Sequence, residues 1–83
     1  MKISKAINAA MKEFDKANKE GDREIRTIAL QEGWGHEDSY RSLTIKIEYA
    51  IDGDYTESDK KPFIVTVYDN DGTITTEVEG RNE

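Results

Sequence analysis

From Tyr40 to Ile51 the chain reads YRSLTIKIEYAI, and this stretch constrains the fold more than any other. Leu43, Ile45, Ile47, Tyr49 and Ile51 alternate with Ser42, Thr44, Lys46, Glu48 and Ala50. A period of two is the signature of a strand with one apolar and one wet face, so the spacing predicts a strand over about 41–51. Such a strand needs neighbours in a sheet and a cover for its apolar side. Phe63, Val65 and Val67 repeat the pattern after Pro62, which suits a strand's first residue, and Ile74, Thr76 and Val78 repeat it again. Two more strands are predicted, over about 62–69 and 73–79.

The cover is supplied at the N-terminus. Ile3, Ala6, Ile7, Ala10, Met11, Phe14 and Ala17 follow i, i+3, i+4, i+7 spacing, the stripe of an amphipathic helix over about 3–20, with Gly21 where a C-terminal cap belongs. Lys5, Lys12, Lys16 and Lys19 share its polar side as a solvated face. Residues 23–32, REIRTIALQE, fit two readings. As a helix, Ile25, Ile28 and Ala29 share a face behind an Asp22 N-cap; as a strand, the alternation is imperfect. The long strand needs a second neighbour, so we favour the strand, with GWGHEDS as the hairpin loop behind it. One domain spanning 1–83 follows: α+β, an N-terminal amphipathic helix packed on one face of a three- or four-stranded antiparallel meander sheet.

The turn DNDGTITTEVEG, residues 69–80, resembles the middle of an EF-hand calcium loop. With Gly72 as the sixth loop residue, Asp69, Asp71 and Thr75 fall at ligand positions, but Val67 and Val78 stand where the two anchoring carboxylates belong. Those valines suit the buried side of a hairpin. Either a four-residue loop, Asp69–Gly72, or a two-residue Asp71-Gly72 turn keeps the apolar residues on one side. Ala29 and Gly33 have the spacing of a helix-turn-helix core, but its second helix would run through Ser39–Ile45, which reads as strand.

The 83 residues carry no cysteine and a net charge of −6. No disulfide or thiolate metal site is available, and no apolar run reaches the ~18 residues of a membrane span. The charge is uneven: seven Lys/Arg face five Asp/Glu in residues 1–30, and five face thirteen in residues 31–83. Direct nucleic-acid binding is disfavoured, whereas a basic protein surface is attracted. His36, the sole histidine, has neither a second imidazole nor a signalled nucleophile beside it. Neither a cofactor motif nor a catalytic constellation stands out, and the expectation is a protein that is not an enzyme and works in the cytoplasm.

The candidate contact residues are acidic and aromatic. Asp52, Asp54, Glu57 and Asp59 crowd the connection IDGDYTESDKKP, with Tyr55 among them. Glu77 and Glu79 belong to the wet face of the last strand, and Tyr68, with Ile64, interrupts the polar outer face of the strand before it. Trp34, between two glycines, either folds back over the core or projects to a partner. In size, acidity and α+β pattern the chain is similar to phage-encoded inhibitors of host defence, anti-CRISPR proteins and nucleic-acid mimics among them. That similarity implies a small binding module, monomer or homodimer, in which the acids stand in for phosphates on a basic, nucleic-acid-binding surface. The alternative is an assembly subunit that oligomerises through a strand edge or the outer sheet face.

Overall fold

The computed structural model describes residues 1–36, 39–51 and 62–79. One helix, α1 (Ile3–Ala17), is followed by four strands: β1 (Arg23–His36), β2 (Ser39–Ile51), β3 (Phe63–Asn70) and β4 (Thr73–Glu79). They form one antiparallel sheet in the order β1-β2-β3-β4, an α+β meander with α1 on one face. Among the described residues, no helix is long and apolar enough to cross a membrane.

The core is the meeting of the two predicted apolar patterns. Ala6, Ala10 and Phe14 of α1 are buried against Leu43, Ile45 and Ile47 of β2 and Val65 and Val67 of β3. The alanines let the helix backbone approach the sheet, and Phe14 fills the far end. Its ring meets Phe63 edge-on at 5.5 Å and Tyr49 at 5.7 Å. Each large side chain buried this way contributes about 1.5–3 kcal/mol of transfer free energy. Arg23 stacks its guanidinium on the other partner of this cluster, 5.3 Å from the Tyr49 ring centre.

The helix is shorter than the periodicity predicts. It stops at Ala17 because Asn18 leaves helical geometry (φ −91°, ψ 56°) and turns its side chain to the next strand. The Asn18 amide donates to the Arg23 carbonyl at 3.0 Å, and its oxygen accepts from the Arg23 N–H at 3.2 Å. Gly21, expected as the cap, lies in the following turn with φ +71°. At the other end Lys2 gives no side-chain cap. The entry is fixed instead by Met1, whose ammonium donates to the Tyr40 carbonyl at 2.8 Å and to Asp69 Oδ2 at 2.9 Å. The Tyr40 N–H donates back to the Met1 carbonyl at 3.0 Å.

Asp69 also accepts the Gly72 N–H at 2.8 Å, and its carboxyl is held below the usual carboxylate value, first by the Met1 ammonium and then by that N–H. A carboxylate favoured in the fold stabilises it fully above about pH 3.9, its unfolded value, and loses that contribution as pH falls through the folded one. Asp69→Asn is therefore expected to lower the unfolding midpoint at neutral pH and to converge with the parent in acid. Parallel urea titrations across that range check it; curves that stay equally far apart at every pH would contradict it.

Residues 23–32 are strand, and the segment 33–36, expected as loop, continues it. The whole of β1 pairs with β2, from Arg23 opposite Ile51 to His36 opposite Ser39. The helix alternative, with its Asp22 cap, falls away, as does the helix-turn-helix spacing: Ala29 and Gly33 both lie in β1. The alternation in the sequence is imperfect because the register slips at three places, two of them between Ile25 and Thr27 and between Leu30 and Glu32. The extra residue Arg26 brings Ile25 onto the face of Ile28 and Leu30, opposite Tyr49, Ile47 and Ile45. At the other hairpin the two-residue turn is the one formed. Asn70 pairs with Thr73, and Asp71 (φ 53°) and Gly72 (φ 94°) supply the two positive φ angles of a type I′ turn.

Candidate functional site

The face of the sheet away from α1 carries the site. Strand pairing aligns side chains in rows across it, because residues directly opposite in an antiparallel pair point the same way. The first row is Trp34, Ser42, Tyr68 and Thr75, and the second is Glu32, Thr44, Thr66 and Glu77. A third runs Ala29, Lys46, Ile64 and Glu79. Trp34 and Tyr68 thus stand two strand spacings apart, about 9.5 Å, with only the small Ser42 between them.

Trp34 is 71% exposed and Tyr68 36%. The glycines beside Trp34 hold it in place. A Cβ on Gly33 would lie 2.7 Å from Leu43 Cδ2, so the missing side chain lets β1 close over the core. Gly35 has φ +130°, and a Cβ there would come within 2.8 Å of the Ser39 carbonyl oxygen and Tyr40 Cα. Trp34 is therefore seated on a fixed strand, pointing out, and does not fold back over the core.

The second row fixes the floor. Thr44 is buried despite facing outward, and its hydroxyl pairs with that of Thr66 at 3.1 Å. Glu32 and Glu77 lie at the two ends of this row. The Tyr68 hydroxyl donates to Glu77 Oε1 at 3.1 Å, and Thr27 Oγ1 donates to Glu48 Oε1 at 2.6 Å. Lys46 lies 3.8 Å from Glu48, a loose exposed pair. The Tyr68 phenol is pushed above its ordinary value, chiefly by the hydrogen bond to Glu77, then by desolvation and the carboxylate's charge. A raised phenol favours the fold below about pH 10, its unfolded value, and that contribution is lost as pH rises through the folded one. Glu77→Gln is expected to bring the Tyr68 titration back towards about 10, read as phenolate absorbance; an unmoved titration would show that the bond does not persist in solution.

Of the residues singled out in the sequence, Trp34, Tyr68, Glu77 and Glu79 share this one face. Asp52, Asp54, Tyr55, Glu57 and Asp59 lie outside the described residues. Glu32, Ser42, Thr44 and Thr66 join the site only through the pairing of β1; until 23–36 is known to be strand, nothing sets Glu32 beside Trp34's row. Among the described residues, no group of three or more His, Cys, Asp or Glu could hold a metal ion. Two aromatic walls, a hydroxyl floor and carboxylates at the margin match a cationic side chain, arginine above all, through cation–π contact and a charge-assisted hydrogen bond. Comparison with protein-family models, curated proteins and solved structures gives no match for this chain.

Proposed function

We propose that this chain is a non-enzymatic binding module whose outer sheet face occupies a basic surface of another macromolecule. The observation that carries the reading is the juxtaposition of exposed Trp34 and Tyr68 in one row, with Glu32 and Glu77 in the next. Aromatic side chains offer large contact area at little entropic cost, and flanking carboxylates add charge complementarity. Glu79 extends the acidic margin, and the acids of residues 52–59 add to the overall field. If the partner surface is one that binds nucleic acid, covering it inhibits its owner. This is the mode of action implied by the similarity to small acidic phage inhibitors, anti-CRISPR proteins included, working in the cytoplasm.

The chain has one tryptophan, so its fluorescence reports on Trp34 alone. Titration with an arginine-rich peptide is expected to change that signal and to weaken steeply with added salt, since screening acts over about 10 Å at 0.1 M. Trp34→Ala, followed by calorimetry, is expected to weaken binding by about 30-fold, the effect of an interface hot spot. Binding that ignores salt, or survives Trp34→Ala unchanged, would overturn the proposal.

A further inference from the structure

The opposite face offers a different surface. The helix rests on β2, β3 and β4 but not on β1, which is an outer strand of 14 residues with nothing described beyond it. On the helix side of β1, Ile28 is 36% and Leu30 46% exposed. Glu13, on one flank of α1, accepts from the Thr76 hydroxyl of β4 at 3.1 Å. The other flank, 100° per residue round the helix, turns Ile7 and Met11 towards the β1 side. An apolar trough therefore lies between the helix and a strand edge that no other described strand pairs.

The occupant is indicated by the symmetry of β1 itself. Its helix-side residues are Ile25, Ile28, Leu30 and Gly33, each paired with an inward residue of β2. This set is symmetric about Ala29: position 28 reflects onto 30, and 25 onto 33. Glu24 and Trp34, both on the outer face, reflect onto each other as well. In an antiparallel pair of identical edges the two-fold axis stands perpendicular to the sheet, so every residue must oppose one that faces the same way. The register slips in β1 would ordinarily spoil that match, yet about Ala29 it holds for the pairs 24/34, 25/33 and 28/30. Reflection also sets Arg26 opposite Glu32 twice. Centring on Ile28 instead would oppose Glu24 to Glu32, and centring on Leu30 would oppose Ile28 to Glu32.

We infer that two copies of this chain pair through their β1 edges, antiparallel and centred on Ala29, into a continuous eight-stranded sheet with both helices on one face. Ile28 of each copy then meets Leu30 of the other, the two helix flanks close over these four side chains, and Arg26 of each copy faces Glu32 of the other. Glu32 serves both this dimer and the outer-face contact proposed above, so Leu30→Lys, on the helix side of β1, is the variant that separates them.

Sedimentation velocity on the full chain at tens of micromolar is expected to show a dimer. Arg26→Glu and Glu32→Arg, each alone, put like charges opposite one another twice and are expected to raise the dissociation constant about 10-fold. The double reversal restores opposite charges and is expected to return it to near the parent value. Leu30→Lys, at a side chain already exposed in the single chain, is expected to give a monomer with unchanged far-ultraviolet circular dichroism. A parent that stays monomeric, a dimer indifferent to the single reversals, or a double reversal that fails to restore pairing would each overturn the inference.

Discussion

Replacing Phe14 by alanine is expected to remove about 3–5 kcal/mol of stability, a substantial part of what the domain has. A domain of this length has roughly 4–12 kcal/mol in all. Phe14 is 2% exposed and is the one large side chain that α1 buries fully; its other buried residues are Ala6 and Ala10. Alanine at 14 would leave the Tyr49 and Phe63 rings without their shared neighbour. The helix cannot sink further to close the gap, because the alanines already hold its backbone near the sheet. Urea denaturation followed by circular dichroism measures the loss. A decrease below about 1 kcal/mol, the small end for core truncation, would show that α1 is not held as described. Met11→Ala, at a half-buried flank position, serves as the comparison and should cost less.

Gly35→Ala is expected to be the next most damaging change, at about 2–4 kcal/mol from the two sources combined. A φ of +130° lies where L side chains rarely go, and the added methyl would meet backbone atoms of residues 39 and 40 that cannot swing aside. Relief requires β1 to part from β2 at the end that carries Trp34. The variant should therefore show both a lower unfolding midpoint and a changed Trp34 environment in fluorescence. Gly72→Ala, where nothing lies within 4 Å of the added Cβ although φ is +94°, should be milder. Equal effects at the two glycines would mean that the close approach at Gly35 is not present in solution.

Leu43 to Ile51 and the stripe from Ile3 to Ala17 are legible in the sequence because each serves one environment along its length. Their periods survive intact, and helix on antiparallel sheet follows from them. Residues 23–36 are harder for a physical reason. A bulge inserts a residue without changing the face served, so Ile25 and Ile28 acquire the three-residue spacing of a helix while lying on a strand. The pair of glycines around Trp34 misleads in a similar way. Gly33 and Gly35 look like freedom in a loop, yet each is small because neighbouring atoms occupy the space a side chain would need. For the site, Trp34, Tyr68, Glu77 and Glu79 could be named from residue type alone. Their assembly into rows needed the register, which depends on where β1 slips, and a single chain's letters do not mark those slips.

The grip of Met1 on Tyr40 and Asp69 has a bearing on the order in which the molecule is made. Synthesis runs from the N- to the C-terminal side, so Met1 is made 68 positions ahead of its carboxylate partner. The Glu13–Thr76 bond spans 63. While the chain grows, α1 has only the β1–β2 hairpin beside it, and the strands that seat its flank do not yet exist. Its apolar stripe must wait, exposed, for β3 and β4. Docking is therefore completed only once β3 and β4 have emerged, and until then the helix is the part most in need of protection from other apolar surfaces.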